Sequence, residues 1–139
     1  MTDRSAVDTI TGYHYQFDHS IHAVLSLPND DDSIDIEVIE DIDINLPTGK
    51  TAIQCKYYSK TEYNHSVIKD AVMFMLTHFK EAKDGTHNKI QYKLYGHYKS
   101  GQDKLKLPMS IDFLKNEFLT KDSYTTDKTT NKKTKITYH

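Results

Sequence analysis

Residues Glu37 to Lys56, EVIEDIDINLPTGKTAIQCK, constrain the fold more than any other stretch. Acidic residues alternate with isoleucines up to Leu46, a Pro-Thr-Gly-Lys segment interrupts, and alternation resumes toward Lys56. A period of two on both sides of a turn signal describes a β-hairpin, with strands over about 34–46 and 51–58. Strand parity sorts the side chains. Ile34, Ile36, Val38, Ile42, Ile44 and Leu46 share one face; Asp35, Glu37, Ile39, Asp41, Asp43 and Asn45 share the other. On the second strand Ala52, Gln54, Lys56 and Tyr58 lie opposite Ile53, Cys55 and Tyr57. With Thr48-Gly49 as the turn, Gly49 supplying the permissive φ, Asp43 faces Gln54 and Asp41 faces Lys56. A four-residue loop from Pro47 to Lys50 keeps that register, and a three-residue loop breaks it. Glu40 falls on the opposite face and enters the cluster only if the strand bulges.

Carboxylates, an amide and an ammonium on one face are the groups that hold a hydrated divalent ion and hydrolyse a phosphodiester. The wet face of an antiparallel sheet produces the same alternation, and Asp–Lys pairs across strands are ordinary sheet stabilisation. Spacing alone leaves both readings open. Ile39 among the acidic positions argues against full solvation. Clustered carboxylates also repel one another, a cost that a bound cation relieves.

The remaining elements follow from periodicity. Residues 12–27 form an amphipathic helix, with Tyr13, Phe17, Ile21, Val24 and Leu25 at helical spacing and Thr11 as N-cap. Asn29 to Ser33 is a loop. Residues 66–80 carry a wide apolar stripe of Val67, Ile68, Ala71, Val72, Met75, Leu76 and Phe79, capped by Asn64 or Ser66 and ended by Asp84-Gly85. Alternation over 89–99 predicts a strand parallel to 51–58 through a right-handed crossover. Pro108 precedes a short helix near 110–119. The order is α-β-β-α-β-α, an α/β domain over 1–119. Residues 120–139, rich in Thr and Lys, read as a linker, a disordered tail or a basic arm, with a weak strand at Lys135–Tyr138.

Composition excludes several classes. At 139 residues the chain is one domain. No membrane span and no signal peptide are expected, and the lone Cys55 excludes an intrachain disulfide, so a reducing cytoplasm is expected. Eight histidines include only His19 and His22 at helical contact spacing, with no second His/Cys pair, so no zinc site is expected. No Gly-x-Ser-x-Gly elbow or Gly-rich phosphate loop is present. The net charge of −2 hides an asymmetry: residues 1–54 hold 2 basic and 11 acidic groups, and residues 55–139 hold 16 and 9. An acidic metal pocket beside a basic rim is compatible with that split, as is a mixed surface.

Glu37-x-x-Glu40-Asp41-Ile42, the hairpin, and Ile53-Gln54-Cys55-Lys56 resemble the core of the PD-(D/E)xK nuclease superfamily. More narrowly they resemble its Gln-x-Lys branch, found in N-terminal nuclease domains of bacterial anti-phage effectors, CBASS-type double-stranded DNA endonucleases among them. Gly12-Tyr13-His14-Tyr15-Gln16 is similar to the Gly-x-x-Tyr-Gln that often opens the first helix of that group. The likeness spans roughly residues 10 to 100. It implies a restriction-endonuclease-like mixed β-sheet flanked by helices and a Mg²⁺- or Mn²⁺-dependent endonuclease acting on DNA in anti-phage defence. Asp41, Gln54 and Lys56 are the implied catalytic set. Asp41, the Gln54 amide oxygen and the Cys55 backbone carbonyl are the implied metal ligands. Gln54 stands where the wider superfamily has an acidic residue, so Glu37 or Asp43 is expected to supply the missing charge, with Tyr15 and Gln16 reaching in from the helix. The alternatives are a catalytically inactive module of the same fold that binds nucleic acid or a protein, and a structural oligomerisation domain. Nucleic acid is the expected partner and a membrane is not. A homodimer, and a C-terminal sensor or oligomerisation domain beyond this chain, stay open.

Overall fold

A computed structural model describes residues 4–86, 88–126, 129 and 133–138. Helix α1 spans Arg4–Leu25, strands β1 Ser33–Ile36, β2 Ile42–Leu46 and β3 Gly49–Glu62 follow, then helix α2 His65–Lys83 and strand β4 Ile90–Ser100. A single 3₁₀ turn, Gln102–Lys104, leads to the short helix α3, Ile111–Glu117, and strands β5 Lys121–Thr126 and β6 Lys133–Tyr138 close the described chain. β1 to β4 form one mixed sheet in sequential order, antiparallel except for the parallel β3–β4 pair, and the helices flank it. The parallel pair is the one expected from the strand–helix–strand crossover.

Three expectations about the hairpin are corrected. First, the strand expected over 34–46 is two antiparallel strands joined by a loop over 37–41, in which Glu37 takes a left-handed φ of 56°. Asp43 holds this loop: its carboxylate accepts the Ile39 N–H at 2.7 Å and the Glu40 N–H at 3.3 Å. Second, the turn is Pro47-Thr48, with Leu46 opposite Gly49. Proline favours the first central turn position, and Gly49 then enters β3 at φ 144°, where a side chain is disfavoured. Third, the register shifts by two residues, so Asp43 lies opposite Ala52 and Ile42 opposite Ile53. A shift of two conserves parity and leaves the faces as expected.

Helix α1 starts earlier than Thr11, which sits inside the helix with its hydroxyl donating to the Val7 carbonyl at 2.8 Å. An amphipathic helix ordinarily lays its apolar stripe on the core. In α1 the stripe faces away: Tyr13, Phe17, Ile21, Val24 and Leu25 are all exposed, while Gln16, Ser20 and Ala23 are buried. Ala23 packs with Ile42 and Ile53, and the ring of Tyr15 stacks on Tyr95. Helix α2 behaves conventionally and buries Ile68, Met75 and Ala82. Its N-cap is Asn64, without a side-chain capping bond; Ser110 caps α3 by accepting the Phe113 N–H at 3.1 Å.

The main core lies on the α2 and α3 side, where Tyr63, Ile68, Tyr98 and Phe118 form one cluster. Gly96 is part of its design. A Cβ there would approach the Tyr98 ring to 2.7 Å, so the ring lies over the space a side chain would fill. The segment expected to be a tail or basic arm instead pairs as an antiparallel hairpin, Lys121 opposite Tyr138 and Thr126 opposite Lys133. Its threonines, tyrosines and Ile136 favour extended backbone, a preference masked by the charge of the segment.

Candidate functional site

β3 outruns β2. The antiparallel ladder stops at Ile42–Ile53, and from Gln54 onward β3 is paired on the β4 side only. The notch left at the edge is filled by Asp41, the last residue of the loop. Its Oδ2 accepts the Gln54 Nε2 at 2.8 Å and the Cys55 N–H at 2.6 Å. A carboxylate thus continues the ladder where β2 has ended. From α1, the buried Gln16 extends Nε2 toward the Asp41 carbonyl at 3.5 Å. The same carbonyl accepts the Glu37 N–H at 3.1 Å. An open cleft of about 300 Å³ lies over this point, lined by Gly12, Tyr13 and Gln16 of α1 and by Asp41, Gln54 and Lys56.

The expected residues sort as follows. Asp41, Gln54 and Lys56 line one cleft, with Asp41 level with Gln54 rather than with Lys56, a consequence of the shifted register. Gln16 reaches the site. Tyr15 does not line the cleft; it stacks with Tyr95 and lies against Tyr57, and burial followed by Tyr95 raises its pKa. Asp43 is fully buried and committed to the loop amides. Glu37 is exposed, and its left-handed backbone turns it out of the strand pattern. Neither stands where it was expected to supply charge at Gln54.

Glu40 does. It was expected on the far face, but the loop folds it inward until it is 7% exposed, with Oε1 lacking a hydrogen-bond partner among the described residues. Burial, then Asp41 and Asp43, raise its carboxyl to about 7, against which the Lys56 ammonium pulls downward. Length gave no signal of the break, since β3 runs 14 residues without one. Burial, and then Asp41, also push the Cys55 thiol up to about 12, so it stays a neutral packing group.

The chemistry of the donors is that of hard oxygen. Among the described residues no three carboxylate, imidazole or thiol groups gather closely enough to hold a metal by themselves. The available set is Asp41, the Gln54 amide, Glu40 and a backbone carbonyl. In a strand the N–H and C=O of one residue point to the same edge, so the Cys55 carbonyl faces the notch together with its N–H. Asp41 Oδ1 carries no hydrogen bond among the described residues. Such oxygens suit Mg²⁺ or Mn²⁺ in kind, and the orphaned Glu40 oxygen is a group that a cation would satisfy.

No family model, curated protein or solved structure matches the chain. Among the described residues no helix is long and apolar enough to cross a membrane.

Proposed function

We propose that the chain is a divalent-metal-dependent endonuclease whose chemistry is carried by Asp41, Gln54 and Lys56, with double-stranded DNA as substrate and anti-phage defence as its role. The observation that carries this reading is the notch: one carboxylate fixed by the Gln54 amide and the Cys55 N–H at an open sheet edge, with Lys56 beside it. The helix-flanked mixed sheet is compatible with the restriction-endonuclease-like fold implied by the motif order.

Asp41, the Gln54 oxygen and the Cys55 carbonyl would hold the ion, and Glu40 supplies the negative charge that Gln54 lacks. A Mg²⁺ ion held by these residues would supply Lewis-acid polarisation and a more acidic water. Gln54 donates to Asp41 in this structure, so presenting its oxygen to an ion would require the amide to flip and give up that bond, leaving the Cys55 N–H to hold the carboxylate. Lys56 makes no hydrogen bond or ion pair among the described residues. Its ammonium is therefore available to orient the attacking water and to stabilise charge on the phosphorane. Gln16 and the Glu37 N–H hold the Asp41 backbone and keep the carboxylate aimed.

Plasmid nicking tests this. Cleavage is expected with Mg²⁺ or Mn²⁺ and not with EDTA. Lys56→Ala should slow it by about two to three orders of magnitude, the typical effect of deleting a transition-state donor. Affinity for DNA should change little, with a salt slope lower by about one. A wild-type protein that binds DNA without cutting it under either metal would make this an inactive module.

A further inference from the structure

We propose that the outward face of α1 is the interface of a two-fold symmetric homodimer, with two α1 helices packed antiparallel about Phe17. This goes beyond the nuclease reading and does not rest on it.

Val7, Ile10, Tyr13, Phe17, Ile21, Val24 and Leu25 are between 48% and 80% exposed along one side of a 22-residue helix. Seven large apolar side chains, each about half exposed or more, follow one another along the helix, where apolar residues on a monomer surface are ordinarily scattered singly.

Spacing argues for a second copy as the occupant. About Phe17 the stripe is palindromic: Tyr13 and Ile21 lie four residues away on either side, and Ile10 and Val24 lie seven away. A two-fold interface requires a patch that complements itself when reversed. Antiparallel pairing sets Phe17 on the partner's Phe17, Tyr13 on the partner's Ile21 and Ile10 on the partner's Val24. Steps of three and four residues are those of helix pairs that interdigitate along their length. Tyr13 also lines the cleft, so pairing sets the partner's Ile21 beside its outer wall.

Analytical ultracentrifugation of the full chain should give twice the 16.1 kDa monomer mass. Phe17→Glu should raise the dimer dissociation constant by about 100-fold or more, because it places a charge at the centre of both copies. Its circular dichroism should match the wild type, since Phe17 lies half exposed on the outer face of α1 and is not among the core residues. Ile21→Glu repeats the test should that variant misfold. Orientation is read by oxidative crosslinking in a Cys55→Ser background. Phe17→Cys should crosslink to itself, and Ile10→Cys should crosslink only when mixed with Val24→Cys. A protein that stays monomeric at high micromolar concentration, a dimer that survives both charged variants, or self-crosslinking of Ile10→Cys would each overturn the proposal.

Discussion

α1 and α2 flank the same sheet and use opposite faces. α2 sets Ile68 and Met75 into the core and is held by apolar burial. α1 sets Gln16 and Ser20 against the sheet and is held by ring stacking, hydrogen bonds and one alanine. The difference shows that a helix buries the face its neighbours can use. α2 covers the apolar cluster, whereas the inner face of α1 must furnish a polar reach to Asp41. What α1 forgoes in apolar burial it leaves available on its outer side.

The largest expected effect sets the two helices against each other. Ile68→Ala on α2 should destabilise the protein by about 2–5 kcal/mol, the range for emptying a buried site. Ile21→Ala on α1 should cost under about 0.5 kcal/mol in dilute protein, as a surface change does. Urea melts at two protein concentrations check both. Equal losses at low concentration would break the contrast; a loss for Ile21→Ala that grows with concentration would tie it to the dimer.

A second prediction probes the loop between the two sides. The Glu40 carboxyl is raised from 4.5 to about 7 in the folded state. Its stabilising contribution is full below the unfolded value and is lost as pH rises through 7. In metal-free protein, Glu40→Gln should therefore stabilise at pH 8 by an amount on the order of 2–3 kcal/mol and do little at pH 4. Thermal melts at both pH values in EDTA read this. The same benefit at both pH values would show that shape, not charge, sets the effect.

The smallest effect concerns the polar face of α1. Gln16→Ala removes a long bond of 3.5 Å to Asp41, so the stability loss should be about 0.5–1 kcal/mol. The cleavage rate should fall by more than that energy alone implies if Gln16 aims the carboxylate. A rate that tracks the stability loss would reduce Gln16 to packing.

Much of this was legible in the alternation of Ile with Asp and in the helical stripes. β3, β4 and α2 appear within a few residues of expectation, and Gln54 and Lys56 keep the shared face that parity gives, but Asp41 reaches the same cleft from the end of a loop rather than from a strand. The rest depended on tertiary context. Val38 and Ile39 extended the apparent strand through a loop whose shape is set by Asp43, so Glu40 was assigned to the wrong face. Periodicity finds a helix but does not say which face meets the sheet, and α1 inverts the usual preference. Thr-rich strands beyond residue 120 carry little apolar signal, so their hairpin was hidden in composition.

Gly96 makes a different kind of constraint visible. The Tyr98 ring lies in the volume a β-carbon would need, and that ring joins the cluster of Tyr63, Ile68 and Phe118. No larger residue fits there, whatever its polarity, unless Tyr98 shrinks or leaves. The two positions are therefore expected to change together or not at all in any descendant of this chain, coupled by volume rather than by chemistry.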